Sequence, residues 1–450
     1  MPGFINIPDT AHYWLTNARI PRCLLSHDVT LEPIPALQAF PHQEELVAVD
    51  VEVLGGKIAA IRPIGGIADS PTGLDRGDTP TVDLGQGLVW PCFVDMHTHL
   101  DKGHIWPRCP NPDATFAGAL ETVQQDHGNW QHDELYQRME FGLKCSYAHG
   151  TQAIRTHLDS FGPLGETNFK VFDELRRQWS DRLILQAVCL VSLDYFLTPE
   201  ADPLAQLVAE SGGVLGGVAF MNDDLVPQLD QVFTLAKRYG LELDFHADES
   251  LDPDDITLRY VAEAALRHDF QAAITCGHCC SLSVQAPDVV EQTLTLVKAA
   301  HIGIVSLPMC NLYLQDRQPE HTPRYRGVTL LHELHQRGIS VALASDNCRD
   351  PFYAYGDHDG LDVFKQSVRI GHLDRPFDHW PTSLTSRPAQ MMGLDNLGTL
   401  GPGTPANLIC FKARTFNELV AREQGDRVVI RQGHPIDTTL PDYQELDILF

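Results

Sequence analysis

The sequence predicts an α/β fold: a (β/α)8 barrel of the TIM type, with a small flanking β domain built from both chain ends. Three observations carry that expectation. Between about residues 90 and 390, short apolar runs alternate with longer amphipathic stretches. The runs are near-continuously apolar, which marks parallel strands covered on both faces rather than strands with one wet face. The two ends lack this alternation and carry short strands punctuated by glycine and proline.

Taken in chain order, residues 44–63 read as two strands joined through Gly55-Gly56, a hairpin signal. The apolar runs follow: Leu88–His99, Gln152–Asp159, Leu183–Ser192, Val214–Asn222, Leu241–Glu249, Ala272–Cys279, Gly303–Asn311 and Ile339–Asn347. Helices are expected between several of them, over Phe169–Trp179, Leu225–Tyr239, Ile256–His268, Pro287–Ala300 and Thr329–Arg337. Eight regularly spaced strand-helix units favour closure into a barrel over an open, doubly wound sheet. Residues 403–434 return to short strands at Asn407–Phe411 and Arg427–Arg431. The expected division is therefore a composite β domain of residues 1–88 with 392–450, and a catalytic barrel of residues 89–391. The tail after Pro435 is acidic and carries no signal.

Composition narrows the function. The 450 residues include 33 basic and 60 acidic side chains, a formal net charge of −27. Such a surface repels nucleic acid and anionic membranes, so neither is an expected partner. The N-terminal residues have neither a basic start nor an apolar run, and no stretch is long and apolar enough to span a bilayer. The 11 cysteines, an odd number scattered along the chain, suit reduced thiols in a cytoplasm. A homo-oligomer is compatible with all of this.

In barrel enzymes the reactive residues gather at the carboxyl ends of the strands. Here the first run ends His97-Thr98-His99, the fifth His246-Ala247-Asp248-Glu249, the sixth Gly277-His278 and the eighth Ser345-Asp346-Asn347. With 21 histidines, roughly one His-x-His is expected by chance. The pair alone therefore describes core histidines equally well. Residues two apart on a strand face the same way, however, so both imidazoles can address one metal ion. With His246 and Asp346 they make three nitrogens and a carboxylate, a set that leaves room for water, as catalytic zinc sites do. Glu249 can carry a proton between that water and a substrate nitrogen; its plainer role is to open the following helix. His278 can orient the water, or be a hydrogen-bonded buried histidine.

Other patterns point elsewhere and fail on context. Cys276-Gly277-His278-Cys279 has the spacing of a thiol-disulfide motif but straddles a strand end, without the helix N-terminus that activates such a thiol. No second cysteine pair exists to complete a structural zinc site. His332-Glu333-Leu334-His335 misses the zinc-protease spacing by one residue. His157 closes the second run and is open to a supporting role.

The run Pro91-Cys-Phe-Val-Asp-Met-His97-Thr-His99-Leu-Asp-Lys102 resembles the first strand of the amidohydrolase superfamily. Joined by Phe245-His246-Ala-Asp-Glu249, Gly277-His278 and Asp346-Asn-Cys-Arg-Asp-Pro-Phe352, it resembles the cytosine deaminase branch, from about residue 45 to 435. The resemblance implies that His97, His99, His246 and Asp346 bind one divalent ion, Zn2+ or Fe2+. Glu249 would be the proton shuttle, and His278 and Asp346 would help deprotonate the water. The fourth run ends Ala219-Phe-Met-Asn222, without the lysine of dinuclear members. Three positions depart from the branch. Ser192 stands where a glutamine grips the pyrimidine, Asn347 where a second aspartate follows the ligand, and Phe352 where a tryptophan caps the substrate. Loss of an amide that donates and accepts at once weakens recognition of cytosine itself.

The expected activity is thus a metal-dependent aminohydrolase that releases ammonia from a small amino-substituted N-heterocycle. The rival on the same scaffold is a ring-opening or N-alkylamine-releasing hydrolase. The rival from another class is a non-hydrolytic metal-binding or redox protein. Whether the segment 103–131 forms a lid is open at this level.

Overall fold

The computed structural model describes residues 3–38, 44–64 and 78–449. The parts of the expected flanking domain at 39–43 and 65–77 lie outside the described residues. The chain forms two compact units. One comprises Met1–Val94, Tyr147–Gln152 and His372–Leu440; the other comprises Asp95–Ser146, Ala153–Gly371 and Pro441–Phe450.

The first unit is built on a sheet. Its described strands run in the order His434–Pro435, Val428–Arg431, Leu408–Phe411, Leu88–Pro91, His12–Pro21, Leu46–Leu54 and Lys57–Pro63, with Thr81–Asp83 beside His12–Pro21. The hairpin turns at Gly55 and Gly56, both at positive φ (58° and 79°), the conformation a tight hairpin loop requires. Period-two alternation buries Val47, Val49, Val51 and Val53 on one face. Trp90 packs edge-on against Phe411 and Phe416 at 6.2 Å.

Two features of this unit differ from expectation. His12–Pro21 is a strand that the sequence pattern did not announce. The run Leu88–His99 is two strands: Leu88–Pro91 pairs with Leu408–Phe411, and Phe93–Thr98 pairs with Thr151–Asp159. Nothing in an unbroken apolar run marks where a chain changes sheets. Pro91, which has no N–H to give a ladder, sits at the break.

The second unit is mixed α/β with parallel sheets. Phe93–Thr98, Thr151–Asp159 and Ile184–Leu190 form one; Leu215–Val218, Leu243–Ala247, Ile274–His278, Gly303–Ser306 and Val341–Leu343 form the other, each in sequence order. Parallel bridges Val188↔Val214 and Ser192↔Val218 link the third strand to the fourth, and Thr98↔Asp346 links the first to the segment after the eighth. Every residue of Thr151–Asp159 is buried, so its Arg155 needs internal partners. It finds them in Asp244 and Glu242, each at 3.1 Å.

Between strands, Leu225–Tyr239 buries Leu225, Leu229, Val232, Phe233 and Ala236, a helical stripe, and ends at Gly240 with φ 68°. The helices Phe116–Asp126, His132–His149, Ala201–Glu210 and Gly360–Gly371 were not expected. His132–His149 buries residues on more than one side, which blurs the stripe by which a helix is read. The acidic tail is also ordered: Leu446 packs with Phe141 and Cys145, and Tyr443 stacks on Phe141 at 5.6 Å. No helix among the described residues is long and apolar enough to cross a membrane.

Asp95 ties the first strand to the eighth. It is buried, accepts from Ser345 N at 3.1 Å and from the Ser345 hydroxyl, and burial pushes its carboxyl up to about 6. Asp95→Ala leaves those donors unsatisfied and should cost about 1–3 kcal/mol in urea unfolding; an unchanged midpoint would contradict this account of the strand junction.

Candidate active site

His97 and His99, two residues apart, project to the same side of Phe93–Thr98 and its exit. Thr98 between them donates its hydroxyl to Asp346 O at 2.9 Å, and Asp346 N donates to His97 O at 2.8 Å. These backbone ties bring Asp346 to the pair. Its Oδ1 lies 3.6 Å from His97 Nε2 and 3.2 Å from His99 Nε2. His246, near the end of Leu243–Ala247, sets Nε2 3.4 Å from His99 Nε2. The rings of His246 and His278 stand 4.6 Å and 5.3 Å from that of His97. A Cβ at Gly277 would meet His97 Cε1 at 2.7 Å, so glycine alone leaves room for that ring.

All of these groups are buried, and many of their polar atoms are unpaired. Neither His97 nitrogen, neither Asp346 carboxylate oxygen, nor His246 Nδ1 or His278 Nε2 has a hydrogen-bond partner among the described residues. Burial, then neighbouring cationic groups, holds His97, His99 and His246 well below the usual imidazole pKa, and burial takes His278 down to about 3. Burial pushes Asp346 up to about 7. The imidazoles are therefore neutral, the form that ligates metal. A divalent cation would supply the opposite charge that a buried Asp346 carboxylate lacks. The donor set fits such an ion: His97, His99 and Asp346 offer atoms within 4.8 Å of one another, as do His97, His246 and His278.

Glu249 places Oε1 3.2 Å from His278 Nδ1. Burial first, then the Asp346 charge, pushes its carboxyl well up, so it holds a proton more readily than an ordinary glutamate. The plainer task of opening the next helix falls to Asp248, which accepts from Thr257 Oγ1 at 2.7 Å and Leu258 N at 3.1 Å. His278 and Asp346 both take left-handed backbone conformations, φ 70° and 62°, strain of the kind that collects at functional sites.

A cavity of about 620 Å³ opens onto this cluster. Glu249, His246, His278 and His99 reach it, and Ser192, Asn347 and Phe352 all line its wall. The helix Phe116–Asp126, inside the segment 103–131, supplies Phe116, Leu120 and Val123. Phe116 meets Phe352 edge-on at 5.5 Å.

Four residues at the site escaped the sequence reading. Lys102 Nζ donates to Asp159 Oδ1 at 2.6 Å and stands 3.4 Å from His99 Nδ1; Asp159 Oδ2 lies 3.2 Å from His127 Nε2. Asn311 Nδ2 lies 3.0 Å from His278 Nδ1. Lys102 sat in plain view three residues after His99, Asn311 closed the seventh run and Asp159 the second; His127 carried no local signal. His157 tucks its ring 4.0 Å from that of His97. The thiols of Cys276 and Cys279 are free and buried, and burial raises both far above the range of a redox-active thiolate. His332 Nε2 is spent on Gly371 O at 3.0 Å.

The profile of the amidohydrolase family matches residues 200–436. Pterin deaminase of Rhizobium rhizogenes (strain K84 / ATCC BAA-868) is 47% identical over 448 residues, spanning 99% of this chain and 98% of its own. The crystal structure of 5-methylcytosine deaminase from Klebsiella pneumoniae with 5-fluorocytosine aligns at a TM-score of 0.78 and 25% identity, over 94% of this chain and 97% of that one. N-isopropylammelide isopropylaminohydrolase from Burkholderia multivorans ATCC 17616 shares the fold at a TM-score of 0.73 and 21% identity, over 96% and 100% of the two chains. The chain belongs to the amidohydrolase family.

The Lys102–Asp159 pair offers a stability test. Burial alone would lower Lys102, but Asp159 and Asp101 outweigh it and raise it; Asp159, which burial alone would raise, is held low by Lys102 and His127. The Asp159 share of stability is whole above about pH 4 and is lost as pH falls further; the Lys102 share is whole below about pH 10 and is lost above it. Lys102→Met strands the carboxylate and should cost about 3–5 kcal/mol, with much of that recovered in Lys102→Met/Asp159→Leu. Equal losses in the single and double variants, measured by urea unfolding, would contradict the pairing.

Proposed function

We propose that this amidohydrolase is a deaminase of N-heterocycles using one divalent metal ion, zinc or iron, and that its substrate is an amino-pteridine of the pterin type. The observation that carries the chemistry is the buried set His97, His99, His246 and Asp346, in which His97 and Asp346 have no side-chain hydrogen-bond partner among the described residues, beside the Glu249–His278 pair.

Those four residues would hold the ion, whose part when bound is that of a Lewis acid that makes water acidic near neutral pH. Glu249 takes a proton from the attacking water and delivers it to the ring nitrogen next to the amino-bearing carbon. Its raised pKa suits it to hold that proton between the two steps. His278 and Asp346 orient the water and assist its deprotonation. The proton of the added hydroxyl then passes to the amino nitrogen, the carbon–nitrogen bond breaks, ammonia leaves, and an oxo group replaces the amino group. No oxidant or reductant is needed. For a pterin, the 2-amino group departs and a 2,4-dioxo ring remains.

The wall supports a ring larger than cytosine. The glutamine of cytosine deaminases is absent at Ser192, but Asn222 and Gln228, paired at 3.1 Å, bring amides to the same cavity. Phe116, Phe220 and Phe352 offer flat apolar surface to a fused bicycle. The relative at 47% identity is a pterin deaminase. The parallel bridges that link the two sheets support closure of the eight strands into a (β/α)8 barrel. The sheet of the first unit supports the composite β domain, and free cysteines throughout suit a reducing compartment.

The metal-loaded enzyme should release ammonia from pterin with one oxo product per ammonia; amine release from N-alkyl triazines without ammonia from pterin would favour the rival hydrolase. Glu249→Gln should keep its metal and lose at least about a hundredfold in kcat, and near-normal turnover would sink the shuttle. His97→Ala should lose the ion on metal analysis; full metallation would remove His97 from the ligand set.

A further inference from the structure

A second cluster of metal-type donors lies outside the set described above. His104, Cys348 and His358 are all buried, and each offers one ligand atom within 4.8 Å of the others. Tetrahedral donors around zinc stand about 3.5 Å apart, so shifts of about 1 Å close the set on an ion. Both ring nitrogens of His104 are buried without a hydrogen-bond partner among the described residues, although the residue is only 1% exposed. A buried imidazole with neither nitrogen paired is costly unless something binds it.

The backbone around the cluster is built to hold these side chains. His104 N donates to Cys348 O at 3.0 Å, so two of the donor-bearing segments are directly hydrogen-bonded. Trp106 N donates to Arg349 O at 2.9 Å, and Arg349 N to Tyr355 O at 2.9 Å, which fixes the loop leading to His358. His104 and His358 both sit at positive φ, 67° and 53°, conformations that a non-glycine residue holds at a cost. A Cβ at Gly142 would stand 3.1 Å from His358 Nε2 and 2.8 Å from Leu100 Cδ2, so the helix facing the cluster lacks a side chain where the His358 ring packs. Asp357, which precedes His358 in the chain, accepts from Tyr443 Oη at 3.2 Å.

We propose that His104, Cys348 and His358 form a second, structural zinc site. One sulfur with two imidazole nitrogens suits zinc and not magnesium or calcium, which take oxygen. A water completes the fourth position. On binding, the Cys348 thiol gives its proton to solvent and the sulfur–zinc bond forms with no change of oxidation state. The ion would staple the segment after the first strand to that after the eighth. Those segments carry Lys102 on one side and Asn347 and Phe352 on the other, all of which line the substrate cavity. Its role is therefore to fix the shape of the pocket wall.

The test is zinc-edge X-ray absorption on the full-length, zinc-loaded enzyme, with metal content measured on the same sample. The expected result is a zinc–sulfur shell at about 2.3 Å and about two equivalents of zinc per chain. Cys348→Ser and His104→Gln should each lose one equivalent, and Cys348→Ser should lose the sulfur shell. His97→Ala should lose the other equivalent and keep the sulfur shell, so failure of this site and failure of the catalytic ligand set are told apart. A wild-type spectrum with nitrogen and oxygen neighbours only overturns the proposal even if the variants do not fold. So does a sulfur shell that survives Cys348→Ser.

Discussion

Imidazole nitrogens and carboxylate oxygens buried together, several without a hydrogen-bond partner among the described residues, are the constraint on which the rest of this structure depends. An unsatisfied buried polar atom costs roughly 1–3 kcal/mol, and neither side-chain polar atom of His97 or Asp346 has a hydrogen-bond partner among the described residues. A chain does not gather such groups by chance at one point. The scaffold around them is correspondingly specific: Thr98 and Asp346 exchange contacts along the seam between first and eighth strands, and Gly277 gives the His97 ring its space. Burial does the electrostatic work. It strips the imidazoles of their protons and raises Asp346, leaving a neutral, electron-rich pocket that a divalent cation would satisfy.

The same burial divides the labour between two adjacent acids. Asp248 spends its carboxylate on the helix that begins at Thr257. Glu249 is thereby free to face His278 and the cavity, with a carboxyl whose pKa has been pushed up toward that of a proton carrier. The cavity wall is laid out separately from these acids. Phe116, Phe220 and Phe352 give flat surface, while Ser192, Asn222, Gln228 and Asn347 give polar edges. Changes in the wall would thus leave the buried histidines and acids below it untouched.

Much of the site was legible in the sequence because strand geometry is local. His97 and His99 share a face by alternation, and a rule about strand ends pointed to His246, His278 and Asp346. Residues held by long-range contacts were harder to see. Asp159 and His127 matter through Lys102, a contact spanning 57 residues on one side, and no local pattern announces it. The fold was legible to the same degree. Continuous apolar runs gave the parallel strands, whereas the passage of Leu88–His99 between two sheets left no mark beyond Pro91. Helices such as His132–His149, buried on several sides, lacked the stripe that identifies Leu225–Tyr239.

On the proposed function, one cation sits among His97, His99, His246 and Asp346, within reach of Glu249. Anomalous X-ray scattering from crystals of the purified enzyme, recorded on both sides of the zinc and iron edges, tests it most directly. An edge-specific peak is expected about 2.0–2.2 Å from the ring nitrogens of His97, His99 and His246 and from an Asp346 oxygen. Crystals of active enzyme with no anomalous peak at that point would contradict it.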